Sequence, residues 1–427
     1  MAFSLFVIAT WGYFDLALFL AVLFVNFLGA RAIDRADAHR GKAILIGFIA
    51  LDVATLGFFK YANFIGGNVG ALTGLHLPAF PLGIPLAISF YIFHLISYLV
   101  DLHARRVRLT TVREYLFYLS FFPHVIAGPI VRAWQLVPQI GHIRRIRGDL
   151  TMGFHFLVTG YFLKMVVANN VGRIIDPYFK GEALAHASAV DLWLVAFLYY
   201  CQIYGDFAGY SLMALGMARL LGYRLPANFR SPMRAGSIQE FWQRWHITLS
   251  RWLRDYLYIP MGGNRVSPGR SARNVMATMA LGGLWHGAGW GFVLWGCWHG
   301  VGIVAERFLA PPRQDRPWLS RLAWAILAQV WITIAWVLFR SPTFSIASLY
   351  LSKMVHLTSH SQFVVNRTLF LCVLFAAPAV AHNFVPLLLK AAGRKRLGLI
   401  LGVSTALMLV LNFMIYSPDT VFIYFRF

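Results

Sequence analysis

Charged residues are scarce in this chain, and acidic residues are the scarcest of them. Only 13% of its 427 residues are charged and 59% are hydrophobic, whereas about a quarter of the residues in a soluble domain carry charge. Its mean hydropathy is +0.63. Cysteine is also rare: Cys201, Cys297 and Cys372 lie in apolar runs without a CxxC pair, which excludes a disulfide framework or a thiolate metal site. These features predict an all-α, polytopic integral membrane protein.

The few charges have one dominant sign and an uneven distribution. Against 16 acidic residues stand 38 lysines and arginines, giving a formal net charge of +22. The basic residues form short clusters between apolar runs, which is the pattern of cytoplasmic loops and argues against a nucleic-acid partner. With the N-terminus outside, the basic clusters all fall on the cytoplasmic side; these are 31–42, 105–147, 219–273, 307–321 and 390–396.

Apolar runs of membrane-spanning length recur along the whole chain and predict about ten transmembrane helices. We find no linker, so residues 1–427 are expected to form a single integral membrane domain that keeps its first apolar run. The predicted spans are 3–29, 43–65, 82–103, 150–173, 189–221, 272–286, 288–306, 322–340, 366–389 and 397–416.

Two apolar segments do not fit simple spans. Prolines and a glycine interrupt 114–140, which predicts a re-entrant element buried in protein. In 237–261, Ser237 and Glu240 have the spacing of a capping box, and aromatic and charged residues fall on opposite faces of one helix, which predicts an interfacial helix. His246 would lie on its flank, in a polar strip with Gln239, Gln243 and Ser250 that can orient the imidazole.

Histidines inside apolar runs are candidates for chemistry, and the tripeptide Trp-His-Gly occurs twice, at 285–287 and 298–300. His286 falls among glycines where one span ends and the next begins, which suits the wall of a cavity. His299 lies inside the next span, where a structural, hydrogen-bonded histidine is the simpler interpretation. The chain has no G-x-S-x-G elbow and no Walker loop, so neither serine-hydrolase nor P-loop chemistry is indicated.

Ionisable groups within predicted spans indicate internal pairing or function. Asp206 is expected to face a basic partner or a substrate path, and Lys164 to pair or to extend towards the interface. His94 is expected to be a satisfied structural histidine.

Several long segments resemble the membrane-bound O-acyltransferases, in particular the bacterial branch that includes alginate O-acetyltransferases. They cover most of 85–306 in the family's order. The most specific segment is "CQIYGDFAGYSLMALGMARLLGYRLPANFRSPMRAGSIQEFWQRWHITLSRWLRDYLYIPMGGNR" at 201–265; the others are "PLAISFYIFHLISYLVDLHARRV", "YLSFFPHVIAGPIVRAWQLVPQI", "YFLKMVVANNV", "LGGLWHGAGWGFVLWGCWHG" and the terminal "FIYFRF".

The resemblance implies a helical bundle around a central tunnel, with re-entrant or interfacial helices and an active-site core at 85–306. It implies transfer of an acetyl group from cytoplasmic acetyl-CoA to hydroxyls of an extracytoplasmic polysaccharide, directly or through an SGNH-hydrolase-like partner, in the inner membrane of a bacterium. The matching histidines are His286, expected as general base, and His246, expected to orient the acceptor or stabilise charge. No permanent cofactor and no metal are implied. Tunnel or substrate contacts are expected from Trp245, Trp285, Asp206, Arg244, Arg251 and Arg254.

Departures from the family pattern leave other functions open. The chain is shorter than many alginate acetylases, and Leu212 follows Ser211 where relatives often have an aspartate. Acetylated cellulose, peptidoglycan or another exopolysaccharide are alternative acceptors. A D-alanyl transferase for teichoic acid would use an acyl-carrier protein as donor, whereas a transporter or flippase of an acylated glycan or lipid would tolerate loss of His286. A secretion scaffold would tolerate loss of both histidines.

Overall fold

The computed structural model describes residues 1–75, 78–81, 83–125, 128–142, 147–181, 183–309, 317–356 and 367–415. Within these ranges the regular elements are helices, as expected for a chain that must satisfy its backbone hydrogen bonds inside lipid. The terminal "FIYFRF" motif lies outside the described residues.

Eighteen α-helices are described in these ranges. They are α1 Ala2–Ala9, α2 Tyr13–Arg35, α3 Ala38–Thr73, α4 Ile88–His103, α5 Val112–Ser120, α6 Phe122–Val125, α7 Ala133–Leu136, α8 Arg147–Phe162, α9 Asn169–Lys180, α10 Ala189–Leu220, α11 Ile238–Arg244, α12 Ile247–Leu253, α13 Pro268–His286, α14 Trp290–Leu309, α15 Trp318–Arg340, α16 Phe344–Val355, α17 Arg367–His382 and α18 Val385–Met414. Wider π-helical turns follow α8 at Leu163–Ala168 and α12 at Arg254–Tyr258.

Four stretches of helix in the described ranges are long and apolar enough to cross a membrane by length and composition. They are Tyr13–Arg35, Ala38–Thr73, Gly148–Lys180 and Trp318–Arg340. Shorter apolar helices account for other predicted spans, including α4 and α17. The protein is therefore a membrane protein with several apolar helices.

Some helix boundaries differ from the predicted spans. The expected span 3–29 is two helices separated near Gly12, and α16 was not predicted because its 12 residues are too short for a spanning run. The boundary expected at 389–397 lies instead at 383–384. There α17 ends and α18 begins, so Lys390 is inside a helix rather than in a loop.

The described chain divides into two compact units. The first comprises Met1–Gly153 and Ala214–Pro226. Its segment 114–140 is broken into α5, α6 and α7, which agrees with the expected interruption by proline and glycine. His94 is fully buried there, and its Nε2 accepts the backbone N–H of Val131 at 3.1 Å, which is a structural contact; its Nδ1 has no hydrogen-bond partner among the described residues, so the expected full satisfaction of this histidine is not met.

The second unit comprises Phe154–Met213 and Ala227–Phe427. The most closely packed pair of helices in this unit is α13 with α14. A Cβ atom on Gly283 would collide with the carbonyl of Phe292, and one on Gly296 would collide with the carbonyl of Met279. Because these glycines let the two backbones touch, the end of α13 is held directly against α14.

Candidate active site

The tryptophan-rich segment around His246 is not one continuous helix as predicted. α11 begins after Ser237, whose hydroxyl caps it by accepting the N–H of Glu240 at 3.0 Å. α11 ends at Arg244, and α12 begins after His246, which adopts a left-handed conformation with φ 41° and ψ 52°. A few per cent of non-glycine residues do this, and histidine is among the more tolerant types. The break places His246 at the start of α12, not on a helix flank.

Asn228 explains why the helix breaks at this point. Its backbone carbonyl accepts the N–H of Ile247 at 2.9 Å. Its side-chain Oδ1 accepts the N–H of Thr248 at 3.2 Å and the Thr248 hydroxyl at 2.8 Å. Two N–H groups at the start of α12 are thereby satisfied by a residue that lies 19 and 20 positions earlier in the chain. The expected orientation of His246 by Gln239, Gln243 and Ser250 is therefore wrong for its imidazole, because the ring is held by Asn228.

The same contact defines which nitrogen of His246 carries a proton. Nδ1 lies 3.2 Å from Oδ1 of Asn228. This atom of Asn228 is an oxygen because it accepts an obligate backbone N–H donor, that of Thr248. The Nδ1 atom of His246 must then be the donor, which leaves the lone pair on Nε2. Burial lowers the pKa of His246 to about 3, so the imidazole is neutral near pH 7.

The Nε2 atom of His246 is buried and has no hydrogen-bond partner among the described residues. An unsatisfied buried acceptor requires an explanation, such as water or a substrate. His246 therefore presents a fixed, neutral hydrogen-bond acceptor inside the protein.

His286 is the last residue of α13 and is only 4% exposed, which agrees with its expected place at the junction of two helices. Its ring packs edge-on against Trp285, Trp295 and Phe339, with ring centroids 5.0, 5.1 and 5.5 Å away. Its centroid lies 6.3 Å from that of His246. The structure thus brings together the two histidines that the sequence selected, across 40 positions of chain and in apolar surroundings.

The two predicted tunnel tryptophans occupy different places. Trp285 lies beside both histidines, with its ring centroid 6.2 Å from that of His246. Trp245 is buried in a cluster of aromatic rings, stacked on Phe241 at 5.5 Å and 5.0 Å from Trp336. Trp285 is therefore a candidate for direct contact with a reacting group, whereas Trp245 contacts other aromatic rings and has no ring contact with either histidine among the described contacts.

A cavity of about 620 Å³ lies along the elements that carry the histidines. This volume is typical of small-molecule sites. On α12 its lining residues follow one helical face directly after His246, and on α13 they end two turns before His286. The lining comprises Arg230, Gln239, Glu240, Trp242, Gln243, Arg244, Ile247, Ser250, Arg251, Leu253, Arg254, Tyr258, Val275, Thr278, Met279, Ile303 and Arg307.

Five arginines and one glutamate give this cavity a strongly positive lining. Arg244 is engaged by Glu240 at 2.6 Å, and Arg254 by Asp255 at 2.7 Å. Arg230 and Arg251 are exposed and have no side-chain hydrogen bond or ion pair with any residue that the structure describes. These two guanidinium groups are therefore available to an anionic ligand. The sequence predicted Arg244, Arg251 and Arg254 as contacts but not Arg230 and Arg307, since neither lies in the segment 237–261 that was expected to form one helix.

Asp206 is not part of this cavity lining. It is 1% exposed on α10 and forms an ion pair with Lys164 at 2.5 Å. Lys164 lies in the π-helical turn after α8, and such turns occur often at functional sites. The contact is the pairing with a basic side chain that the sequence predicted, while a role of Asp206 in a substrate path stays a prediction.

No group of three or more His, Cys, Asp or Glu side chains in the described ranges is placed to hold a metal ion. The site combines two buried imidazoles, one of them oriented by an amide, with an arginine-lined cavity beside them. Such a set can activate a hydroxyl group next to a bound anionic donor.

Comparisons with known proteins define the class. The model of the membrane-bound O-acyltransferase family matches residues 5–349. The chain belongs to this family and is an O-acyltransferase. It is 38% identical to a probable alginate O-acetylase of Azotobacter vinelandii over 79% of this chain and 68% of the relative. The chain thus spans about two thirds of that relative's length.

Two further relatives indicate the range of the family. A peptidoglycan O-acetyltransferase of Helicobacter pylori is 32% identical over 99% of this chain and 90% of its own length. A teichoic acid D-alanyltransferase of Streptococcus thermophilus is 30% identical over 51% of this chain and 56% of its own length.

Proposed function

We propose that the protein transfers an acetyl group from cytoplasmic acetyl-CoA to hydroxyl groups of an extracytoplasmic polysaccharide, at the bacterial inner membrane. The observation that carries this proposal is the pair of buried imidazoles, 6.3 Å apart, on the helices that line an arginine-rich cavity. The relatives that cover most of the chain carry acetylase names, which favours acetyl over D-alanyl as the acyl group.

The cavity arginines account for donor binding. Coenzyme A carries a diphosphate and a 3′-phosphate, and arginine is well suited to phosphate because its planar guanidinium donates two parallel hydrogen bonds. Arg251 and Arg230 have no competing acidic partner among the described residues, so they are the first candidates to bind these phosphates. Arg254 and Arg244 are partly neutralised by their ion pairs. CoA itself is a substrate here, and no permanent cofactor is required.

His286 is the proposed general base. It removes the proton of the acceptor hydroxyl as the oxygen attacks the carbonyl carbon of the thioester. The C–S bond then breaks, the ester forms, and the protonated imidazole returns its proton to the leaving thiolate. Each proton and electron pair is thereby accounted for without a further reactant. Histidine suits this role because a neutral imidazole has a lone pair that can accept a proton and return it.

His246 is proposed to orient the acceptor. Its Nδ1–H donates to Asn228, so the side chain presents only the Nε2 lone pair to a substrate. A neutral imidazole in this tautomer accepts a hydrogen bond from a hydroxyl group but cannot donate one to an oxyanion. Of the two roles expected from the sequence, the structural geometry therefore favours acceptor orientation over stabilisation of negative charge.

The acceptor is proposed to be a polysaccharide, by analogy with alginate and peptidoglycan as the relatives' names give them. The acetyl group could pass directly or through an SGNH-hydrolase-like partner outside the membrane. Both routes start with the same thioester step at the histidines.

Donor competition tests the proposal. Purified protein in proteoliposomes is given [¹⁴C]acetyl-CoA or a D-[¹⁴C]alanyl carrier protein, together with a hydroxylated oligosaccharide as acceptor. We expect label transfer or thioester hydrolysis with acetyl-CoA that unlabelled acetyl-CoA suppresses. Reaction with the carrier protein alone would replace this proposal by D-alanyl transfer. Accumulation of intact acylated glycan on the other side, without thioester cleavage, would indicate a transporter.

A further inference from the structure

His299 is a buried histidine near the proposed active site that has no role in the mechanism proposed for His286 and His246. It lies on α14, is 0% exposed, and neither ring nitrogen has a hydrogen-bond partner among the described residues. In contrast, His246 is held by Asn228, and His94 accepts a backbone N–H. A buried imidazole always carries at least one N–H donor, and leaving both nitrogens unsatisfied costs folding free energy that an apolar ring would not cost.

The position of His299 connects the cavity with His286. Its ring centroid lies 5.1 Å from that of Trp242, which lines the arginine-rich cavity. On its other side it lies 5.0 Å from Trp295, which in turn lies 5.1 Å from His286. His299 is therefore one ring away from the donor cavity and one ring away from the proposed base.

The two tryptophans beside His299 also carry buried polar atoms without a hydrogen-bond partner among the described residues. These atoms are the Nε1–H groups of Trp242 and Trp295. Three adjacent rings thus present unsatisfied polar atoms inside an otherwise apolar wall. Buried polar groups in proteins are nearly always paired, so a group of unpaired ones between a cavity and a catalytic residue marks a place where a ligand supplies the partners.

We infer that His299, with the indole N–H groups of Trp242 and Trp295, binds the amide groups of the pantetheine arm of the thioester donor. The inference rests on the function proposed above. A phosphate group bound at Arg251 and a thioester at His286 must be joined by this arm. Each amide of the arm presents one N–H donor and one carbonyl acceptor. A neutral imidazole offers one acceptor and one donor in return, and each indole offers a donor to a carbonyl. His299 is thus a specificity-determining residue for a pantetheine-bearing donor.

Three donors of decreasing length test this inference: acetyl-CoA, acetylpantetheine, and S-ethyl thioacetate, which has no amide. The variants are His299→Phe, which keeps a flat ring without polar atoms, and His299→Gln, which restores hydrogen bonding. Cys297→Ala is the matched control, since it changes the same helix two residues away. Thioester cleavage, binding of [¹⁴C]acetyl-CoA, and the Tm in detergent are measured for each protein.

We expect His299→Phe to raise KM about tenfold for acetyl-CoA and for acetylpantetheine, which is the effect of one buried hydrogen bond. The rate with S-ethyl thioacetate, relative to that of the wild type, should be unaffected by His299→Phe. The variant His299→Gln should restore most of the affinity for acetyl-CoA and acetylpantetheine. The Tm of His299→Phe should equal or exceed that of the wild type, because an unpaired polar group is replaced by an apolar one.

If thioester cleavage by His299→Phe fell equally with all three donors, or fell with none of them, the inference would be overturned and the proposed function would remain intact. A lowered Tm that accounts for the kinetic loss would make His299 a structural residue and would also overturn it. If the wild type neither binds nor cleaves acetyl-CoA or acetylpantetheine, the donor assignment itself fails, and the inference fails with it.

Discussion

Replacing Asn228 by leucine should impair His246 without altering the histidine itself. Asn228 is 1% exposed, and its Oδ1 accepts from the imidazole of His246 and from the backbone and hydroxyl of Thr248. Leucine has a similar size but offers no acceptor. The Thr248 hydroxyl can rotate to another oxygen, whereas the backbone N–H and the imidazole N–H cannot move as freely. Each donor left unsatisfied costs about 1–3 kcal/mol, so the pair costs about 2–6 kcal/mol of folding stability.

The kinetic effect follows from the tautomer. Without Asn228, the His246 ring is free to place its proton on either nitrogen and to rotate, so its acceptor atom no longer faces one direction. If the lost orientation is equivalent to one hydrogen bond of about 1.4–2.7 kcal/mol, kcat/KM falls about 10- to 100-fold. The assay is [¹⁴C]acetyl transfer from acetyl-CoA, with thermal unfolding followed in the same detergent.

Asn383→Leu is the matched control for this experiment. Asn383 is equally buried, accepts the N–H of Met233 at 3.1 Å and donates to the carbonyl of Ala379 at 2.8 Å. Its loss should lower stability to a similar extent and leave kcat/KM of the folded protein unchanged. Equal kinetic losses in the Asn228→Leu and Asn383→Leu variants would refute the reasoning, because the effect would then follow stability and not the orientation of His246.

Two other contacts give predictions of different kinds. Arg251→Gln should raise KM for acetyl-CoA about fivefold, equivalent to about 1 kcal/mol for an exposed charge contact, and should leave KM for acetylpantetheine unchanged. Arg254→Gln should have a smaller effect, because Asp255 already engages Arg254; the reverse order in initial-rate measurements would contradict this assignment. Lys164→Met should lower unfolding stability by about 3–5 kcal/mol, because it leaves Asp206 buried without its counter-charge. Combining it with Asp206→Leu should recover most of the loss, and a double variant less stable than Lys164→Met would disprove the pairing as the cause.

The sequence was sufficient for the helical class and for the place of His286. Long apolar runs specify spanning helices because lipid offers the backbone no partners. The run of glycines at 282–291 correctly marked the junction between α13 and α14. The pairing of Asp206 with a basic side chain was also predictable, because an intramembrane carboxylate needs one.

The break at His246 could not be predicted from periodicity, because a residue outside the segment produces it. The pattern of apolar positions in 237–261 fits one continuous helix. Asn228 overrides this local preference by satisfying the N–H groups of Ile247 and Thr248 from a distance. A single asparagine at this distance from His246 has no sequence pattern that would predict its contact with the start of α12. α16 was missed for a different reason, since a helix of 12 residues falls below the length that identifies a span.

Arg230 and His299 illustrate a further limit of the sequence. Arg230 joins the cavity from the loop before α11, so no helical spacing relates it to Arg251. His299 was expected to be a satisfied structural residue on the ground that buried histidines are normally hydrogen-bonded. Its two unpaired nitrogens emerge only from the packing of α11 against α14, where Phe241 stacks on the imidazole at 6.0 Å.

The measurement that tests the account most directly compares the wild type with His286→Gln in proteoliposomes loaded with [¹⁴C]acetyl-CoA. Glutamine retains hydrogen bonding and similar size but cannot accept the proton. We predict normal binding of acetyl-CoA and a loss of acetyl transfer of about 10²–10⁴-fold, which is the contribution of a general base. Transfer by His286→Gln at the rate of the wild type would contradict the assignment of His286 and the mechanism built on it.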